Sequence, residues 1–92
     1  MSAAPFRMRV VTVPPGAERV YLEDEWRDAL VVLQEGDIDL VALSGVRRSF
    51  HSGAILWLEG LPLRSLQNPG AEPARLLAVS RRGRSLRWAG DA

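Results

Sequence analysis

The sequence has no cysteine, no lysine and a single histidine, His51. Without cysteine there is no disulfide, no thiolate metal site and no cysteine nucleophile. His51 has no second candidate residue nearby, so no Ser-His-Asp arrangement is proposed, and none of the serines stands in a nucleophile elbow. No apolar run approaches the roughly 18 residues of a membrane helix, so no membrane partner is expected. The start, Met1 to Phe6, lacks a basic region followed by an apolar stretch and does not read as a signal peptide. A cytoplasmic location is the expectation. There is no glycine-rich phosphate loop, and no basic–aromatic interleaving of the kind that holds single-stranded nucleic acid. All twelve basic residues are arginine, which reads as the coding bias of a GC-rich, bacterial genome. Eleven acidic residues nearly balance them, and a net charge of +1 sets up no general field for nucleic acid. Arg81, Arg82, Arg84 and Arg87 cluster near the end; a solvated hairpin rim accounts for them, with an anionic partner as the alternative.

What is present is dense turn chemistry. Pro14-Pro15-Gly16, Gly36, Ser44-Gly45, Ser52-Gly53, Gly60 to Pro62, Asn68-Pro69-Gly70 and Gly83 interrupt the apolar stretches. Proline presets φ and glycine permits positive φ, so these are turn residues for physical reasons. Breaks every eight to twelve residues or so predict many short strands. The alternation agrees. Phe6, Met8 and Val10 share one face and Arg7 and Arg9 the other; Ile38, Leu40 and Ala42 share a face from which Asp37 and Asp39 point away. Strands are predicted at 6–13, 19–22, 28–35, 37–43, 46–51, 54–58, 63–68 and 74–81, with 84–88 as a ninth candidate. Eight or nine strands in a single 92-residue domain, with no internal repeat or linker, predict an all-β, small antiparallel barrel or jelly roll, which limits exposed edges. Three segments are apolar on both faces: Ala29–Leu33, Ala54–Leu58 and Leu76–Val79. A short chain cannot easily cover both faces of three strands, so a homodimer formed through one sheet is expected.

From about Val10 to Ser80 the sequence resembles the cupin superfamily. The second cupin motif runs glycine, five residues, proline, one residue, glycine, two residues, histidine, three residues, asparagine. Gly53 and Asn68 stand at its ends with the full spacing kept. The run Asn68-Pro69-Gly70-Ala71-Glu72-Pro73-Ala74-Arg75-Leu76-Leu77 is typical of the turn into a late cupin strand. The histidine position holds Arg64, and Glu59 and Leu61 hold the proline and second glycine positions, with Gly60 and Pro62 close by. The ends of the first motif fit Gly16 and Gly36. Its glutamate then falls on Ala29, and its His-x-His on Leu22 and Asp24 or, with the shorter spacer, on Glu23 and Glu25. Many cupins hold iron, manganese, nickel or zinc with three histidines and a glutamate. Others bind sugars or effectors without metal, and the fold alone does not choose among them.

Arginine offers a metal no lone pair and repels it, and Ala29 removes a second ligand, so no metal and no cofactor are expected. If Arg64 follows the family's histidine it points into the barrel. There it could pair with Glu23, Asp24 or Glu25 as a strut in place of the metal, or hold a carboxylate or phosphate ligand in its fork; otherwise it snorkels out to water. His51 lies on the wet side of its strand. Glu23, Asp24 and Glu25 form either a solvated loop or, on a strand, an alternation that turns Glu23 and Glu25, or Asp24 alone, inward. Trp57 is core or dimer interface, and Trp26 could floor a pocket. The function expected is metal-free binding of a small anionic ligand by Arg64, Glu23, Glu25 and Trp26. Two alternatives stand beside it: a metal-independent isomerase or cyclase using Arg64 and a carboxylate, and a structural or regulatory dimeric module with a filled barrel.

Overall fold

The computed structural model describes residues 6–81. The candidate ninth strand, with Arg82, Arg84, Arg87 and Trp88, lies outside the described residues. The order is β1 (Phe6–Val13), β2 (Glu18–Val20), one 3₁₀ turn (Glu23–Trp26), β3 (Ala29–Glu35), β4 (Asp37–Ala42), β5 (Arg47–His51), β6 (Ile55–Trp57), β7 (Leu63–Gln67) and β8 (Ala74–Arg81). They form two four-stranded antiparallel sheets, β1-β8-β3-β6 and β2-β7-β4-β5. The all-β, jelly-roll expectation holds: the described residues form eight strands, where eight or nine were expected.

The core lies between the sheets. Val11, Val13, Val31, Leu33, Leu76 and Ala78 from the first sheet meet Ile38, Leu40 and Leu66 from the second, with Leu56, Leu58 and Trp26 beside them. Ala29, Val31 and Leu33 of β3 and Ala74, Leu76 and Ala78 of β8 are buried, as the period of two requires. The side chains fill the space between the layers; Trp26, Leu33, Leu66 and Leu76 are all inaccessible to solvent.

Two turns fix the frame. Gly36 joins β3 to β4 at φ +80°, and an added Cβ would sit 2.5 Å from the Pro73 carbonyl oxygen, so only glycine fits there. Asn68 is buried: its amide donates to the Val13 and Glu72 carbonyls at 2.9 and 2.7 Å, and its oxygen accepts from the Gly70 N–H at 2.9 Å. At the other end of the motif, the Gly53 N–H donates to the Leu33 carbonyl at 2.7 Å. Both conserved-spacing ends, Gly53 and Asn68, therefore serve the turns.

In β1 the alternation holds but its sense is reversed. Phe6, Met8 and Val10 are exposed, and Arg7 and Arg9 sit on the face that continues into buried Val11 and Val13. Arg9 pairs with Ala78, and Arg7 with Ser80, on the inner face of β8. The register is set by Val11 and Val13, the two buried positions of β1, and the arginines follow at the open end.

Candidate functional site

At that open end the inward residues are charged rather than apolar. Arg9 and Arg19 converge on Glu25 from opposite sheets. Arg19 donates from both Nε and Nη2 to the Glu25 carboxylate, the Nε contact at 3.2 Å, while Arg9 Nη1 lies 3.7 Å from it. Arg9 also donates to the Glu25 backbone carbonyl, and its guanidinium stacks over the Trp26 ring at 5.4 Å from the centroid. The Glu25 side chain is 18% exposed against 38–39% for its two arginines, so the carboxylate is the sheltered member. Its hydrogen bond raises the Arg19 pKa above the ordinary arginine value, against the opposing effect of burial.

A cleft of about 230 Å³ opens over this cluster, lined by Arg7, Arg9, Arg27, Asp24, Glu25 and Ser80 above Ala29 and Ala78. Arg27 pairs with Asp24 and reaches Glu59 at 4.0 Å. Arg7 makes no ion pair among the described residues. One guanidinium in the cleft is thus unmatched by any carboxylate among the described residues, next to a serine hydroxyl and a second arginine.

The comparisons with known proteins bear on the fold around this cleft. No family model and no curated protein matches the sequence, but solved structures do. A Cupin 2 conserved barrel domain protein from Salinispora arenicola superposes with a TM-score of 0.63 at 28% identity, over 83% of this chain and 62% of that one. A sugar phosphate isomerase of the cupin superfamily from Silicibacter pomeroyi gives 0.60 at 27% identity, over 86% of this chain and 52% of that one. The chain has the cupin fold. It spans less than two thirds of the length of either of those cupins. A cupin domain from Bordetella pertussis, at 16% identity and a TM-score of 0.60, is covered over 86% of its length.

The cupin motif positions can now be located. Arg64 is exposed, and its guanidinium donates to the Leu43 carbonyl at 3.0 Å rather than to Glu23, Asp24 or Glu25. The cause is a β-bulge. Leu63 and Ser65 face the consecutive residues Ala42 and Val41 across the β4–β7 ladder, leaving Arg64 as the extra residue. The bulge resets the alternation, so Leu63 and Leu66 both pack on the core while Arg64 turns out. Of the three readings of Arg64, the strut and the inward anchor are corrected: it reaches solvent and caps a loop carbonyl.

The acidic run is a 3₁₀ turn, not a strand, so the strand alternation does not apply to it. Glu23 and Asp24 are exposed and Glu25 alone turns in. Trp26 is fully buried in the core, where it supports Arg9 from beneath and exposes no surface to the cleft. Ala29 lines the cleft as a small, inert wall. His51 is exposed as expected, with Nδ1 2.9 Å from Asp37. Among the described residues no group of three or more histidine, aspartate or glutamate side chains could hold a metal ion. The four-ligand cupin site therefore has no counterpart among them. No helix among them is long and apolar enough to cross a membrane.

Arg7, Arg9 and Arg19 are the residues the sequence reading missed. For Arg7 and Arg9 the signal was present in their alternation with Val11 and Val13, but Phe6, Met8 and Val10 offered an equally apolar face.

Proposed function

We propose that this chain is a cytoplasmic, metal-free cupin that binds a small anionic molecule, a phosphate ester or a carboxylate, at the barrel mouth. The observation that carries it is Arg7: a guanidinium without an ion pair among the described residues, lining the same cleft as Arg9 and the Ser80 hydroxyl. A planar guanidinium matches the oxygens of a phosphate or carboxylate in two parallel hydrogen bonds. Glu25 holds Arg9 and Arg19 in place before any ligand arrives, which lowers the ordering cost of binding. At about 230 Å³ the cleft falls below the roughly 300 Å³ at which drug-sized sites begin, so the ligand is small. The 27% identical cupin from Silicibacter pomeroyi is a sugar phosphate isomerase, which makes phosphorylated small molecules the first class to try.

The test is calorimetric titration with inorganic phosphate and with a phosphorylated triose, using the wild type, Arg7→Ala and Arg64→Leu. Arg7→Ala should weaken phosphate binding by about tenfold, the worth of one charge-assisted hydrogen bond. Arg64→Leu should bind as the wild type does. Equal affinity in all three proteins would overturn the mouth site. Elemental analysis of untagged protein purified without chelator should give close to no metal per chain; stoichiometric iron, manganese, nickel or zinc would overturn the metal-free part.

One observation favours a second reading, a structural or regulatory module. The barrel interior is filled by side chains, with Trp26, Leu33, Leu66 and Leu76 fully buried between the sheets. Failure of every phosphate and carboxylate to bind would make this the better reading.

A further inference from the structure

Two arginines close the inner row of the second sheet. Across β5, β4, β7 and β2 that row reads Arg48, Leu40, Leu66, Arg19. Both guanidiniums sit on edge strands, on the face whose middle is core. Glu25 supplies Arg19 with a carboxylate. Arg48 makes no ion pair and no side-chain hydrogen bond among the described residues. Beside Arg48 lies a cleft of about 360 Å³. Leu40 and Ala42 line it from β4, Phe50 from β5, and Leu61 and Pro62 from the chain entering β7. Among the described residues Arg48 is its one polar lining residue. Val46 and Leu61, which also border it, are 59% and 42% exposed. The volume falls within the roughly 300–1,000 Å³ of small-molecule sites, which combine apolar walls with a few placed polar groups.

We infer that this cleft binds an apolar monocarboxylate of the medium-chain fatty acid class, with the carboxylate on the Arg48 fork and the tail along Leu40, Phe50 and Leu61. Charge selects the head group. One guanidinium matches one negative charge in two parallel hydrogen bonds. A dianionic phosphate would keep a charge unmatched against apolar walls, which is costly. The walls select the tail: each methylene they take from water adds roughly threefold to affinity. The Arg48 stem lies with the apolar wall while its head stays wet, so the cation is kept solvated until a carboxylate replaces the water. Arg19, its counterpart on the same row, shows the same pairing already made within the chain.

This cleft shares no lining residue with the one over Glu25, so either site can fail without the other. The probe is octanoate, titrated into the full chain and followed by amide chemical shifts in nuclear magnetic resonance, beside octanol and inorganic phosphate. Octanoate should move the amides of Leu40, Arg48, Phe50 and Leu63, and phosphate should leave them unmoved. Octanol should bind there at least ~10-fold more weakly, for want of the charge-assisted hydrogen bond. Arg48→Gln should weaken octanoate at least ~10-fold and leave octanol unchanged. Leu61→Glu should weaken octanoate too, by setting a competing carboxylate beside Arg48. Both side chains are exposed, so neither substitution disturbs the core, and thermal unfolding verifies that the fold is kept. Unmoved amides would overturn the inference and leave Arg48 a solvated surface cation. So would equal binding of octanoate and octanol, or octanoate shifts confined to Arg7, Arg9 and Ser80 at the mouth.

Discussion

Replacing Glu25 with glutamine should move stability and ligand affinity in opposite directions. Glutamine keeps the shape and one acceptor oxygen but removes the charge that holds Arg9 and Arg19 together. The pair is neither exposed nor buried: the carboxylate side chain is 18% accessible and the arginines 38–39%. Exposed pairs contribute ~0–1 kcal/mol, and stripping one partner from a buried pair costs ~3–5 kcal/mol. With the arginines this accessible, screening keeps the loss near the lower range, about 1–2 kcal/mol. For a domain of this size that corresponds to a fall of roughly 5–15 °C in Tm. Phosphate binding should strengthen. Arg7 and Arg9 would line the cleft without the Glu25 charge beside them, and at an effective dielectric near 20 one charge a few ångströms away is worth several kcal/mol before screening. A gain of at least ~5-fold in affinity is expected after screening. Saturating phosphate should then stabilise the variant more than the wild type. The assay pairs thermal unfolding with calorimetric titration, with and without phosphate. An unchanged Tm would refute the structural role given to Glu25, and weaker phosphate binding would refute the arrangement of the mouth.

Other expectations follow from single contacts. Arg64→Leu should lower stability by no more than ~1 kcal/mol, the worth of the exposed hydrogen bond to Leu43, in chemical denaturation; a larger loss would mean that Arg64 carries core packing. Gly36→Ala should cost at least ~2 kcal/mol, from positive φ together with a Cβ pressed on the Pro73 carbonyl, measured the same way. The Tyr21 hydroxyl donates to the Leu58 carbonyl at 2.8 Å. Burial first, then the charges of Glu23 and Glu59, raise its pKa above the ordinary 10.0, with Arg27 opposing. The folded state therefore keeps the proton more tightly than the unfolded state. The stabilisation is complete below about pH 10 and is lost as pH rises through the raised value. Tyr21→Phe should remove that alkaline slope in unfolding curves; an identical slope in both proteins would refute it.

Strand number and position were legible in the sequence because turn residues act locally. Gly36, Gly53 and the Asn68-Pro69-Gly70 run fix backbone geometry wherever they occur, and the period of two between them marks strands. The cupin resemblance was legible for the same reason: its surviving landmarks, Gly53 and Asn68, bond to the backbone. Which face of a strand turns inward was not legible for β1, since Phe6-Arg7-Met8-Arg9-Val10 offers an apolar face and a cationic one, and only contact with Ala78 and Trp26 from distant elements chose the arginines. The reach of Arg64 was hidden too. One extra residue at a bulge reverses every side chain beyond it, and a bulge is a property of the ladder between β4 and β7, not of β7 alone. The acidic run showed its charge but not its 3₁₀ turn, so Glu25 could not be told from Glu23. The sequence by itself determined the eight strand segments from 6 to 81, the turns and the absence of histidine at the cupin motif positions, because these depend on residue type and near neighbours. The tertiary structure alone decided which charges meet at the mouth and which apolar row is left outside, because both depend on pairings between segments far apart in the chain.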